Sequence, residues 1–243
     1  MHDLNHFTSD DAEACAAAFR KAATDSTTME NAATEVVRYL YENLVDSASK
    51  RKACALVRLY KTHTYGELTP ELQRFADGVL GHKLQSTQTK CLTLLATVGE
   101  KPEWNSRQHS RAHQAIPLPT ADFVSKIPMI ARLINQFGLD INAVIRPDPN
   151  LLADLERRTY NAFHVPEAVG SPYIPAQKDF VLAYKVRSVL GFGGILGPGD
   201  LYAVILFSRV PIERKTSELF TAVALDLKLS LQPFVRNVFE AAA

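Results

Sequence analysis

The stretch "VLGFGGILGPGDLYAVILFSR", Val189 to Arg209, holds five glycines within nine residues: Gly191, Gly193, Gly194, Gly197 and Gly199. Two readings compete for it, a phosphate cradle and a plain turn between strands. A dinucleotide loop requires a strand, then G-x-G-x-x-G, then a helix whose N-terminus faces the pyrophosphate. From Gly191 the spacing is G-x-G-G-x-x-G-x-G, and Leu196 stands where the third glycine should fall. The residues after the glycines, "LYAVILFSRV", are β-branched and aromatic and carry no helical cap, and no Gly-Lys-Ser/Thr makes the stretch a P-loop. A hairpin fits instead. In "GPGD", Pro198 presets φ for the second position of a type II turn, and Gly199 supplies the positive φ of the third. Glycine weakens a strand, so Gly191, Gly193 and Gly194 mark a bulge or a close approach, by a packed helix or by a ligand.

Outward from the hairpin, the chain has 243 residues, 47% hydrophobic and 22% charged, as expected for a globular protein. Its formal charge of +1 lacks the basic excess of a nucleic-acid binder. Three widely spaced cysteines, Cys15, Cys54 and Cys91, argue against a disulfide framework and for a reducing compartment. The N-terminus has no basic region followed by an apolar core, and no run of about 18 apolar residues occurs. The expectation is a cytoplasmic protein with neither nucleic acid nor membrane as a partner.

Helical periodicity appears over Asp10–Ala23 and Met29–Val45. "ACALVRLYKTH" (Ala53–His63) and "TKCLTLLATVGE" (Thr89–Glu100) read as strands. Between them, Thr69 caps and Pro70 starts a helix that Gly81 closes. Lys101 to Pro119 reads as irregular, Pro128 starts a helix stopped by Gly138, and "INAVI" (Ile141–Ile145) reads as a short strand. A helix is expected from Asp148 to about Phe163, then a structured loop from His164 to Gln177. The last helix, Thr216–Phe239, is interrupted near Pro233. It is apolar on two sides, with Phe220, Val223, Leu227 and Leu231 on one and Leu225 and Leu229 on another. One side can lie on the sheet and the other can meet the N-terminal helices or a second subunit. The organisation expected is an N-terminal helical extension over residues 1–28 and one α+β domain over 29–243.

The C-terminal third resembles a GAF domain, the small-ligand sensor module of signalling proteins. The pattern is a loop with "GSPYIP", then "KVRSVLGFGGIL", a turn, "DLYAVILFSRVPI" and a closing amphipathic helix. Helix Met29–Val45 and the strands "ACALVRLY" and "CLTLLATVGE" resemble the opening of that domain, so the likeness spans roughly residues 29 to 235. It implies an antiparallel sheet of about six strands, helices on one face and a ligand pocket on the other. It also implies a homodimer through the first and last helices and a downstream signalling partner. The N-K-F-D-E set of cyclic-nucleotide GAF domains is absent, as is a Cys-His pair for a bilin, so the resemblance names no cofactor.

"SPYIPAQKDFVLAYKVRS" is the best pocket candidate, because it interleaves Tyr173, Phe180 and Tyr184 with Lys178, Lys185 and Arg187. Aromatic walls with a few cationic groups suit a small planar or anionic ligand, unless the aromatics are core and the charges solvated. His164 can touch a ligand or bond to loop backbone. "HSRAH" sets His109 and His113 four apart, a metal spacing on a helix, but prolines surround the segment and no third ligand is near. His113 stays a ligand-binding candidate. Cys54 and Cys91 lie in apolar strands and read as small hydrophobes rather than redox thiols. No hydrolase, zincin or kinase signature is present. The leading expectation is a non-catalytic small-molecule sensor. A ligand-free dimerisation scaffold and a thiol redox enzyme are the alternatives.

Overall fold

The first three helices start where a threonine caps the chain ahead of an apolar stripe. The computed structural model describes residues 1–110, 113–148, 150 and 160–240. It opens with β1 (His2–Asp3) and α1 (Ser9–Thr24). The Thr8 hydroxyl accepts from the Asp11 N–H while the Asp11 carboxylate accepts from the Thr8 N–H, closing a reciprocal cap. Thr28 caps α2 (Met29–Asn43) by accepting from the Asn31 N–H. Short strand β2 (Leu44–Asp46) pairs with β1 on one side and with β3 (Arg51–Lys52) on the other in a small sheet. Then come β4 (Cys54–Thr64), α3 (Pro70–Leu80), β5 (Lys90–Gly99) and β6 (Ala115–Pro117). Thr69 caps α3, Pro70 takes its first position, and Gly81 ends it at φ 76°. Helices α4 (Ala121–Ser125), α5 (Pro128–Gln136) and α6 (Ile141–Ile145) precede β7 (Tyr160–Val165). The hairpin β8 (Ser188–Leu196) and β9 (Asp200–Ser208) leads into α7 (Arg214–Leu231).

The main sheet has six antiparallel strands in the order β6-β5-β4-β9-β8-β7. The hairpin therefore supplies two interior strands, which explains why its sequence is apolar at nearly every position. On β9, Tyr202, Val204 and Leu206 join the core shared with α1, α2 and α7, while Leu201, Ala203, Ile205 and Phe207 join a second core on the opposite face. Period-two alternation with both faces buried reads as a continuous apolar run. The second core packs Val124, Ile130, Leu133, Ile134, Phe137 and Val144 of α4–α6 and their flanks against the sheet. The fold is α+β, with the N-terminal helices and α7 on one face of the sheet. No helix among the described residues is long and apolar enough to cross a membrane.

Several elements depart from expectation. "INAVI" is helix α6, not a strand: Asp140 accepts from the Asn142 N–H and starts a helical turn that buries Val144 and Ile145. A five-residue apolar run carries too little periodicity to separate the two states. The helix expected over Asp148–Phe163 falls largely outside the described residues, and its end is strand instead, because Tyr160–Phe163 pair with Gly191–Gly194 of β8. The segment expected to be irregular contributes edge strand β6. Helix α7 stops at Leu231, and residues 232–234 form a 3₁₀ turn.

The hairpin turn keeps its place but not its type. The Gly197–Pro198 bond is cis, and the Gly199 N–H donates to the Leu196 carbonyl at 2.8 Å, which puts Pro198 at the third position rather than the second. Gly199 still takes positive φ, 92°. Two of the strand glycines, Gly191 and Gly193, answer to packing. A Cβ on Gly191 would lie 2.9 Å from Ile205 Cδ1 and 3.2 Å from a ring carbon of Phe163. On Gly193 it would lie 2.1 Å from the Tyr202 carbonyl oxygen and 3.0 Å from the Phe137 ring.

Candidate functional site

The 3₁₀ turn and the tail after it bring the C-terminus back across the helical face. The Met29 N–H donates to the Asn237 carbonyl at 3.0 Å and the Glu30 N–H donates to the Val238 carbonyl at 2.9 Å. These are the first N–H groups of α2, which have no partner inside their own helix. The tail therefore caps α2 from outside. Arg107 fixes the same corner: it pairs with Glu30 at 2.7 Å and lies 5.7 Å from the Phe239 ring centre.

Beneath the tail lies a cavity of about 850 Å³ whose floor is the end of β4. Alternation continues the Val57–Leu59 side of that strand into Lys61 and His63, so both face the helices rather than the second core. Lys61 is 2% exposed, and its Nζ donates to Asp200 Oδ2 at 2.6 Å and to the Thr62 carbonyl at 3.0 Å. Lys90 donates to the other oxygen, Asp200 Oδ1, at 2.6 Å. Two buried ammonium groups thus share one carboxylate. Burial alone would raise the Asp200 pKa, but the charges and hydrogen bonds of Lys61 and Lys90 outweigh it and hold the carboxyl below its ordinary range. Lys61 is held below the usual lysine range, because its burial outweighs the support of Asp200.

His63 is 2% exposed, and neither ring nitrogen makes a well-formed hydrogen bond within the protein. Its ring lies 5.2 Å from that of Phe239. Burial first, then the charge of Lys61, drives its pKa well below the ordinary 6.5, against the opposing charge of Asp200 and a weaker backbone contribution from Lys61. The imidazole is neutral, with one N–H donor and one acceptor nitrogen.

A second, polar groove of about 980 Å³ runs between α1, α2 and residues 105–108, where Arg107 meets Glu30. Both cavities lie on the helical face. The residues singled out in the sequence lie elsewhere. Phe180 and Tyr184 come together around Trp104, with ring centres 5.7 and 4.7 Å from the indole, and Phe180 meets Phe207 of the second core edge-on at 4.9 Å. Tyr173 carries the Arg132 guanidinium 5.1 Å from its ring centre. His164 bonds through Nε2 to the Ile212 carbonyl at 2.8 Å, and burial, only partly opposed by that bond, lowers its pKa. Arg187 and His113 are exposed, and His113 has φ 66°, outside a helix. Among the described residues, no group of three His, Cys, Asp or Glu could hold a metal ion.

All three thiols are fully buried, and burial pushes each pKa up to about 12. None is a nucleophile at neutral pH in this conformation. The residues missed in the sequence, Lys61, His63, Lys90 and Asp200, had one signal: "YKTH" sets a lysine and a histidine two apart at the end of an apolar strand. Their convergence with Asp200, 139 positions beyond Lys61, depends on the β4–β9 pairing.

Among solved structures, the chain is similar to the free methionine-R-sulfoxide reductase from Neisseria meningitidis in complex with its substrate. The identity is 12% over 97% of this chain and 99% of that one, with a TM-score of 0.48. It is also similar to the GAF domain of the phosphoenolpyruvate-protein phosphotransferase from Acinetobacter, at 11% identity over 90% and 91%, with a TM-score of 0.41. At these scores neither likeness bears on what this chain does. No family model matches the chain, and no curated protein matches it.

Proposed function

We propose that this chain is a non-catalytic GAF-type regulatory domain, a cytoplasmic homodimer that binds a small molecule and passes the change to a signalling partner through α1, α2 and α7. The observation that carries this reading is how the sheet, the terminal helices and the tail are joined. Buried Tyr202 of β9 donates its hydroxyl to the Ala224 carbonyl of α7 at 2.7 Å. Asp226 of α7 pairs with Arg20 of α1 at 3.3 Å, and the tail after α7 caps α2. A shift of interior strand β9 would reach α7 through this bond and α1 and α2 through α7 and the tail, which is what transmission requires. The outer side of α7 exposes Leu225 at 42% and Leu229 at 61%, one helical turn apart, a surface suited to a second copy. The buried thiols with raised pKa disfavour redox catalysis.

Native mass spectrometry with an absorption spectrum of the protein as isolated tests the proposal. The expected result is two chains with a bound or added small molecule. A strict monomer that binds nothing overturns it. One observation favours the scaffold as a second reading: the sheet face where the sequence placed the ligand is packed with apolar side chains, Phe137 and Phe163 among them. A dimer that binds no small molecule would select that reading.

A further inference from the structure

We propose that the cavity beneath the C-terminal tail binds a small organic carboxylate, held by Lys61 and His63, and that occupancy sets how firmly the tail caps α2. The ligand class follows from charge. Around the cavity stand Lys61, Lys90 and Arg236 against Asp200 and Glu67, an excess of one positive charge, and Lys61, Lys90 and Asp200 are all buried. A buried excess charge is costly unless paired, so the site favours one negative charge.

The head group follows from hydrogen bonding. Lys61 Nζ has three N–H donors, and Thr62 and Asp200 take two. His63 lines the same cavity, is neutral, and neither of its ring nitrogens makes a well-formed hydrogen bond within the protein. Two donors on one side of a cavity suit the two oxygens of a carboxylate. Pro198, Val238 and Phe239 add apolar lining, which accepts a flat or aliphatic body. The volume, about 850 Å³, admits a metabolite-sized molecule.

The coupling follows from the roof. Val238 and Phe239 line the cavity, and the Asn237 and Val238 carbonyls hold the first N–H groups of α2. A ligand seated on Phe239 thus touches the segment that fastens α7 to α2. In this respect the inference rests on the regulatory reading above, and it gives that reading its ligand class and its place of action.

The test follows the His63 ring resonances by NMR in the full chain, assigned with His63→Gln. Benzoate is the probe, with inorganic phosphate and benzylammonium as comparisons. Benzoate should shift His63 saturably and benzylammonium should not. Affinity for benzoate should fall about tenfold in Lys61→Met and about threefold in Arg236→Gln, whose exposed position leaves folding intact. Amide exchange at Met29 and Glu30 should slow when benzoate binds. Absence of a saturable shift overturns the site, and so does an equal response to benzylammonium. A stronger response to phosphate overturns the carboxylate class, and benzoate binding unaltered in Arg236→Gln and Lys61→Met overturns the assigned residues. Native mass measured without added anion keeps the two proposals apart. A monomer that binds benzoate sinks only the dimer, and a dimer indifferent to benzoate sinks only the site.

Discussion

Gly193 shows how much a single residue can mean. Its sequence signal, glycine inside an apolar strand, left a helix and a ligand as alternatives, and only the packing separates them. A Cβ there would lie 2.1 Å from the Tyr202 carbonyl oxygen, a backbone atom that cannot swing aside. Gly193→Ala should therefore cost about 3 kcal/mol or more, read as a lower urea midpoint. Gly191→Ala, which meets only side chains, should cost about 1–2 kcal/mol. Equal losses would contradict this reading. Asp200 is a second decisive residue: Asp200→Asn leaves two buried ammonium groups sharing a neutral amide and should cost about 3–5 kcal/mol. The pH dependence has two windows. His63 is held well below 6.5, so the unfolded chain takes up a proton that the folded chain refuses, and stability falls as pH drops below about 6.5. The slope due to His63 approaches about 1.4 kcal/mol per pH unit, and His63→Leu should flatten it. Asp200 is held below its ordinary 3.8, so its contribution is complete above that value and is lost as pH falls through the folded pKa.

Elements with caps and period-two runs were legible in the sequence, and short ones were not. Thr69, Pro70 and Gly81 bracket α3 as local chemistry requires, and the hairpin follows from two apolar runs on either side of "GPGD". "INAVI" failed because five apolar residues fit either state and Asp140 decided between them. The turn type failed because the isomer of Gly197–Pro198 is not written in local spacing. The tail was read as the end of a helix, whereas Pro233 ends helical geometry and frees residues 235–240 to cross α2. Removing residues 235–243 should therefore speed amide exchange at Met29 and Glu30 by about tenfold or more, with little effect in β8 and β9. Uniform acceleration would mean that the tail stabilises the whole chain and not this corner. Cys54, buried at the start of interior strand β4, should react with iodoacetamide at pH 8 on the order of a thousandfold slower than a free thiol, and fast alkylation would revive the redox alternative.

At the scale of the whole molecule, an antiparallel sheet of six strands matches what the resemblance implied, and the two apolar sides of the last helix left the N-terminal helices as one of its possible partners, but the strand order was not legible, since β6 and β7 carry no strand signal of their own. The charged cluster was not legible either, because Lys61, Lys90 and Asp200 belong to three strands and meet only through sheet pairing. The aromatic segment singled out as a pocket shows the converse. Its composition was read correctly, but Phe180 and Tyr184 pack around Trp104, which composition cannot foretell. Sheet, α1, α2, α7 and tail join on one face, with Leu225 and Leu229 left outward, and the proposed transmission depends on that joining. The most direct measurement is light scattering coupled to size exclusion, on the natural chain and on Leu225→Glu/Leu229→Glu. The natural chain should elute at the mass of two 26.9 kDa chains, and the double variant at the mass of one with an unchanged urea midpoint. A natural chain that stays at one chain's mass, or a variant that stays paired, would contradict transmission through a helical dimer.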